Sequence, residues 1–462
     1  MAMTNADVVA LVGDVLFPLW EKERRALDRI DAWARWDHDD PSRPRASAAD
    51  SEYRELVARA QAPWGKLIVS SMAQTLFVEG YRRPDSPDDA STWRYWQANA
   101  MDARQAAIYR AALTYGLSYG LTLPGKLNAE PMPVMRGVSP REMIAVYDDP
   151  AFDEWPQYAL RVVKPMRRGD AYELTLYDNE QVIPLRRNGP RGEITVVEGG
   201  AEEHGSGVTP VVRYANELDL EGRSVGEIEP VIPLLGKIDQ TSLDRLVVQR
   251  FASWIVRTIS GMNKPSAEAE ASAEKLRLRV EDILISTNPE TKFDSLPATP
   301  LGGFIEAYES DVRVLSAVTQ SPAHEMLGQM ANLSADALAA ARASQTAKAD
   351  ERKHSFGESH EQLLRLAAHQ AGDAEAAADF QAQVQWADTQ IRSMAQAADA
   401  LGKLVTMLGV PPEVAWEKIP GFTQLDVERM KLIVERNDDL MQTLRQIIDG
   451  DQQETLPDAA AP

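Results

Sequence analysis

Apolar residues at Val8, Leu11, Val12, Val15, Leu16 and Leu19 recur at helical spacing, and Leu27, Ile30 and Trp33 continue among charges. This period predicts an amphipathic helix over 6–36. The Asp/Pro/Ser/Arg stretch at 37–51 predicts a loop, and helical spacing resumes over 52–79 until Pro84 and Pro87 punctuate it. A further helix is expected from Trp93 to Tyr115 through Trp96, Met101, Ala106, Ile108 and Leu113, with Gly116 as its cap. Between 119 and 214 the period changes to short alternating runs at 158–163, 172–177 and 193–197, separated by Gly, Pro and Asn-Gly turns. Such runs predict a small antiparallel sheet.

Helix is expected to return after Ser224, which forms a capping-box pattern with Glu227, although Pro230 and Pro233 kink or delay it. From Leu234 to Ile259 the positions Leu243, Val247, Phe251 and Ile255 make an i, i+4 stripe, with Trp254 beside it, that requires a helical partner. Gly261, Pro265 and a β-like run at 283–286, bounded by Asn288-Pro289 and by Pro297 to Gly303, form an insert before a second helix at 304–320. A Ser/Pro/Met/Gly/Asn loop at 321–333 follows. Ser334 then caps a polar, Ala-rich helix reaching 371, with Gly357 as its expected bend. At about 1.5 Å per residue that helix exceeds ~50 Å, a length suited to an extended assembly. The rest is helical and acidic and ends in an Asp/Ala/Pro tail. The fold class is therefore α+β, mainly helical.

Composition narrows the function. With 462 residues and 44% hydrophobic content the chain is long enough for two to four structural units. Forty-nine Lys and Arg against seventy Asp and Glu leave a net charge of −21, which argues against a broad basic face gripping nucleic acid. The absence of cysteine excludes disulfides, thiolate nucleophiles and Cys-based zinc sites, and favours a reducing, cytoplasmic site of folding. No signal-peptide pattern and no uncharged apolar run of ~18 residues is present, so no membrane partner is expected.

Four apparent catalytic motifs fail on context. Gly116-Leu-Ser118-Tyr-Gly120 matches a nucleophile elbow, but that chemistry requires a strand before the serine and a helix after it, and the predicted order is reversed. Gly120 to Lys126 nearly completes a phosphate-binding loop, yet Leu127 stands where Ser or Thr must hold magnesium, and the segment 128–133 starts no helix. His324-Glu325 and His360-Glu361 each begin H-E-x-x-H, but Gly328 and Leu364 replace the second histidine. These pairs read as a polar loop and a solvated helix face, and the tryptophans as core packing. No catalytic residue, cofactor or metal is expected.

The order of elements resembles the portal proteins of tailed bacteriophages, in particular portals of siphophages of Gram-positive bacteria. The resemblance lies in Trp93, Trp96, Asn99, Asp102 and Gln105 leading into Ala112-Leu-Thr-Tyr-Gly116, then in Pro210-Val-Val-Arg-Tyr-Ala-Asn216-Glu. Arg223-Ser224, opening a helix through Asp239 and Asp244, and the series helix, insert, helix, loop, long helix complete it, over 10–440. It implies a wing over 1–233, helical to 118 and β-rich over 119–214. It also implies stem helices at 234–260 and 303–320, a clip at 261–302, a tunnel loop at 321–333, a long wing helix at 334–372, and a crown with acidic tail at 373–462.

The resemblance further implies a twelve-membered ring at one capsid vertex of the virion, assembled in the host cytoplasm, through which double-stranded DNA passes during packaging and ejection. Its implied partners are the terminase large subunit, major capsid and scaffolding proteins, and a head-tail connector or adaptor. Candidate DNA-channel residues are Lys237, Arg245, Arg250 and Arg257 on the stem, with His324, Gln329 and Asn332 in the tunnel loop; candidate motor contacts in the clip are Lys264, Lys275, Arg277 and Arg279. The basic residues equally suit a solvated or intersubunit salt-bridged face. An acidic ring repels phosphate, so DNA slides without the affinity that counterion release gives a basic groove. Two alternatives stay open: another non-enzymatic capsid or connector component, and a hydrolase using Ser118, which requires that serine in an accessible pocket beside a histidine.

Overall fold

The computed structural model describes residues 3–35, 51–84, 90–127, 130–163, 171–189, 192–252, 257–260, 292–295, 300–328, 335–387, 394–416 and scattered positions to 436. The β-like run at 283–286, the proposed cap Ser334, Gln329, Asn332 and the four clip cations Lys264, Lys275, Arg277 and Arg279 lie outside the described residues. The chain divides into two compact units. The first comprises Met1–Ala73, Ala107–Leu121 and Gly137–Phe356; the second comprises Gln74–Ala106, Thr122–Arg136 and Gly357–Pro462.

In the first unit the N-terminal helix begins at Thr4, whose hydroxyl and backbone exchange hydrogen bonds with Asp7 in a capping box. It runs as α1 (Asn5–Ala10), a π-helical stretch Leu11–Leu16, and α2 (Phe17–Arg35). The wider π turn rotates the stripe: Val8, Val12, Leu16, Phe17 and Trp20 are buried, whereas Val15, expected on the same face, is exposed. Two helices follow, α3 (Ser51–Ala60) and α4 (Trp64–Ala73), then α5 (Met101–Tyr115), which enters this unit at Ala107. Gly116 ends α5 with φ +95°, and a Cβ there would lie 2.3 Å from the Ser224 carbonyl oxygen, so only glycine fits. Strand β1 (Leu117–Leu123) pairs antiparallel with a strand at Val211–Ala215.

The main sheet is antiparallel and built from β2 (Met143–Val146), β3 (Tyr158–Val163), β4 (Tyr172–Tyr177), β5 (Gln181–Arg187) and β6 (Ile194–Val196) in chain order, with β7 (Glu202–Glu203) also on β5. Register places Ile144 opposite Leu160, Leu160 opposite Leu176, and Leu176 opposite Ile183. One apolar face thus forms and buries against Val8, Val12 and Leu16 of the N-terminal helix. The β-rich reading of 119–214 holds, with the addition of β5, which runs through Pro184, and of β2.

Beyond β8 (Val211–Ala215) the capping-box reading is corrected. Ser224 pairs in a bridge with Leu218 and donates its hydroxyl to the Gly116 carbonyl oxygen, while Glu227 is engaged elsewhere. The helix α6 (Ile232–Ala252) begins after a 3-10 turn at Glu229–Val231. Pro230 and Pro233 occupy the opening turns, where no N–H is needed, so they start the helix instead of kinking it. The stripe predicts helix as far as Ile259, and this is corrected: the helix is described to Ala252 and Ile259 lies on a strand. Arg257–Ser260 is strand β9, paired with β10 (Lys292–Ser295). α7 (Gly302–Thr319) ends on Gln320, in left-handed backbone, and the expected loop contains a short helix, α8 (Ala323–Leu327), ended by Gly328. α9 (Ala335–Gln370) is one 36-residue helix, running without interruption through Gly357.

The second unit centres on two-stranded pairing of Val78–Arg82 with Gln383–Trp386. Val78 was expected in a helix, and the strand at 383–386 was not expected. The helix expected from Trp93 to Tyr115 breaks after Ala98, with Ala100 at φ +51°. The residues that carry the family resemblance interlock here. Trp93 and Trp96 stack at 5.2 Å, and Trp96 Nε1 donates to Asp102 at 2.8 Å. The Asn99 amide donates to the Tyr95 and Pro133 carbonyls and accepts from Met135 N–H, while Gln105 bonds both backbone groups of Val78. Buried side-chain amides used this way replace strand partners that the backbone lacks.

Candidate functional site

The motifs with catalytic outlines are structural in the folded chain. Ser118 sits inside β1, is buried, and donates its hydroxyl to the Ile108 carbonyl oxygen at 3.0 Å, which leaves it unexposed to any substrate. Lys126 lies on a strand of two residues paired with Glu130–Pro131, not at a helix N-terminus. The reading of His360-Glu361 as a solvated face is corrected: His360 is fully buried, edge-on to Trp96 at 4.9 Å. Burial pushes its pKa down to about 3, so the ring is neutral. Glu361 accepts a hydrogen bond from Val384 N–H, and burial pushes its pKa up to about 7. Among the described residues no group of three or more His, Asp or Glu is disposed to hold a metal ion.

Of the stem candidates Lys237, Arg245 and Arg250 lie on α6, which packs against α7, and Arg257 lies on β9. The described part of the α6 stripe has partners within the chain: Leu243 clusters with Val57 and Ala60 of α3, alongside Leu246 and Val247. Lys237 Nζ lies 2.7 Å from Asp311 Oδ1 on α7, and Thr241 donates to the other oxygen at 3.1 Å. The Arg245 guanidinium is 5.5 Å from the Tyr308 ring centroid. Lys237 and Arg245 therefore tie the two helices together, whereas Arg250 is exposed at the last turn of α6 and Arg257 opens β9 opposite Ser295. His324 on α8 is nearly buried, 3.9 Å from Glu325, whose carboxylate pairs with Arg342 of α9. On α7 Ile305, Val314 and Val318 are exposed, the latter two one turn apart on the same face.

Sequence reasoning missed a largely buried ion network. Within the first unit α9 buries a stripe of Gln345, Lys348, Ala349, Arg352 and Phe356, spaced three and four apart. Lys348 pairs with Glu227 and donates to the Thr319 carbonyl at 3.2 Å. Arg352 pairs with Glu217 and reaches Glu227 at 3.6 Å, and Asn216 donates to Glu227 at 3.3 Å. Phe356 stacks on Tyr109 at 5.5 Å. The polar character that marks α9 as solvent-facing is thus part of its buried face. Asn216-Glu217 and the segment after Ser224 supply the anions, a second use of residues that carry the resemblance.

The sequence pattern of the family described as "Phage portal protein, SPP1 Gp6-like" matches residues 16–440. The portal protein of Mycobacterium phage D29 is 28% identical over 384 residues, spanning 79% of this chain and 77% of that protein. The portal protein of Mycobacterium phage L5 is 27% identical over 402 residues, spanning 82% and 79%. Among solved structures, a chain from the neck of an empty GTA particle, determined with C6 symmetry, has a TM-score of 0.47 at 12% identity and covers 80% of this chain and 92% of its own. One from the native GTA neck, with C12 symmetry, gives 0.44 at 11% identity, covering 78% and 88%. On the sequence match across nearly its whole length, this chain belongs to the SPP1 Gp6-like family of phage portal proteins.

Proposed function

We propose that the chain is the repeating subunit of a portal ring, through which double-stranded DNA enters and leaves a phage capsid at one vertex. The single observation that carries this is the family match over residues 16–440. The reading is structural, not enzymatic, and the buried, hydrogen-bonded Ser118 supports it against a hydrolase.

In this reading α6 and α7 are the stem helices, the strands β9 and β10 open the clip, α8 begins the tunnel loop, α9 is the long wing helix and the segment after 372 forms the crown. The exposed Ile305, Val314 and Val318 then meet a neighbouring stem. Twelve copies, each of charge −21, surround DNA with net repulsion, so transport is not slowed by phosphate binding. Terminase large subunit, major capsid and scaffolding proteins, and a connector or adaptor are the partners, and the virion is the location. Electron microscopy of the purified full chain tests this. Closed rings with a central channel about the width of a duplex are expected; a 51.1 kDa monomer at all concentrations and salts overturns the reading.

A further inference from the structure

The first unit has a groove of about 630 Å³ between α2, α4 and α5. Its walls include small residues such as Ala34, Ala107 and Ala111, and its rim carries Arg35, Lys66 and Arg110. Its one acidic lining residue, Asp31, is already engaged, accepting from the Tyr115 hydroxyl and pairing with Arg35 at 2.8 Å and Arg141 at 2.7 Å. Lys66 and Arg110 have no ion-pair partner among the described residues. In a chain of charge −21 this is a positively charged recess whose buried lining combines Ala34 and Val69 with Thr114 and the Asp31–Tyr115 pair.

The same unit carries a surface of the opposite kind. Phe152 and Leu220 are 76% and 83% exposed, with Leu218 beside them at 40%. The two loops that bear them touch, since a Cβ on Gly222 would lie 2.3 Å from Pro150 Cβ. The same two loops carry Asp148, Asp149, Asp153, Asp219 and Glu221. Two cations lie here: Arg213 is held by the Pro150 carbonyl at 2.8 Å and lies over Tyr147, and Arg223 lies 3.6 Å from Glu229. Large apolar side chains left in water amid like charges mark a docking surface whose partner is apolar and basic.

We propose that the Phe152/Leu220 knob of one copy seats in the Arg35/Lys66/Arg110 groove of the next. The two surfaces share no residue, so the contact is head-to-tail, the class of interface that closes into rings. The inference rests on the ring reading above, and it names which surfaces of the first unit meet.

Charge reversal in the full chain tests it. Lys66→Glu with Arg110→Glu is expected to weaken ring assembly by about tenfold or more through like-charge repulsion. Asp149→Lys with Asp153→Lys is expected to do the same, and the four changes together to restore rings. A crosslink gives a readout independent of these charges, because the chain has no cysteine of its own. Ala151→Cys with Ala111→Cys and a short bis-maleimide is expected to produce a ladder of covalent oligomers. Normal rings from the Lys66→Glu/Arg110→Glu variant, or no ladder from assembled rings, overturn this proposal alone. A monomeric unaltered chain overturns the ring reading with it. Ring loss that the combined variant does not repair, but that Asp39→Lys with Asp40→Lys reproduces, assigns the groove to residues 36–50 of the same chain and also overturns it.

Discussion

Glu227 with Lys348 and Arg352, and Asp311 with Lys237, join the same kinds of charge in two different settings. In the first, anion and cations are all buried; in the second the carboxylate is buried but the Lys237 side chain is 65% exposed. A charge that leaves water depends on its partner for the solvation it has lost, whereas a lysine that still reaches solvent exchanges the carboxylate for water at little cost. The two arrangements join the same kinds of group and are expected to differ several-fold in their hold on the fold.

The largest effect is expected at Glu227. Glu227→Gln strands Lys348 among buried groups and is expected to cost about 3–5 kcal/mol in urea unfolding. Adding Lys348→Met removes the stranded charge and is expected to recover most of that loss, a coupling that a double-mutant cycle measures directly. A Glu227→Gln cost under about 1 kcal/mol would place this network with ordinary surface pairs and dissolve the contrast.

At the Lys237–Asp311 pair the two partners are expected to separate. Asp311→Ala removes the acceptor shared by Lys237 and Thr241 and is expected to cost about 1–3 kcal/mol. Lys237→Ala is expected to change stability by less than about 1 kcal/mol. Equal losses in the two variants would mean that exposure of the lysine does not decide its contribution.

A third setting sharpens the comparison with a smaller effect. Glu361 is a buried carboxylate whose hydrogen bond comes from a backbone N–H, and burial raises its pKa from 4.5 to about 7. Below 4.5 folded and unfolded chains are both protonated there. As pH rises through this window the unfolded chain loses the proton first, so stability falls. His360, lowered from 6.5 to about 3, has the opposite slope: its contribution is complete above 6.5 and is lost as pH falls. Glu361→Gln is therefore expected to remove the fall and leave stability rising more steeply with pH between about 4.5 and about 6.5. Thermal unfolding of both proteins across that range checks it, and parallel curves would show that Glu361 ionises normally in the fold.

These arrangements also show why some elements are legible in sequence and others are not. The sheet strands at 158–163 and 172–177 announce themselves because one face is buried and the alternation of period two is local. The strand at 78–82 escapes detection because its partner lies at 383–386, about three hundred residues later in the chain. The end of α6 escapes for a related reason, since the stripe continues through Ile255 while residues 257–260 pair with 292–295. Among the candidate site residues, Lys237 and Arg245 are singled out from sequence, but their engagement with Asp311 and Tyr308 depends on a second helix later in the chain.

The sequence by itself determined the family, the mainly helical α+β class, the antiparallel sheet, the 36-residue helix and the failure of each catalytic motif. All of these follow from periodicity, local order and residue type, which act over a few turns or strands. Tertiary structure alone decided which polar residues are buried. His360 reads as part of a solvated face and Lys348 and Arg352 go unremarked because charged and ionisable side chains are rarely removed from water, and the partners that compensate them are set by folding: Glu227 lies 121 residues before Lys348, and Trp96 lies far from His360 in the chain. Desolvation is a property of the whole packed environment, so no local pattern encodes it.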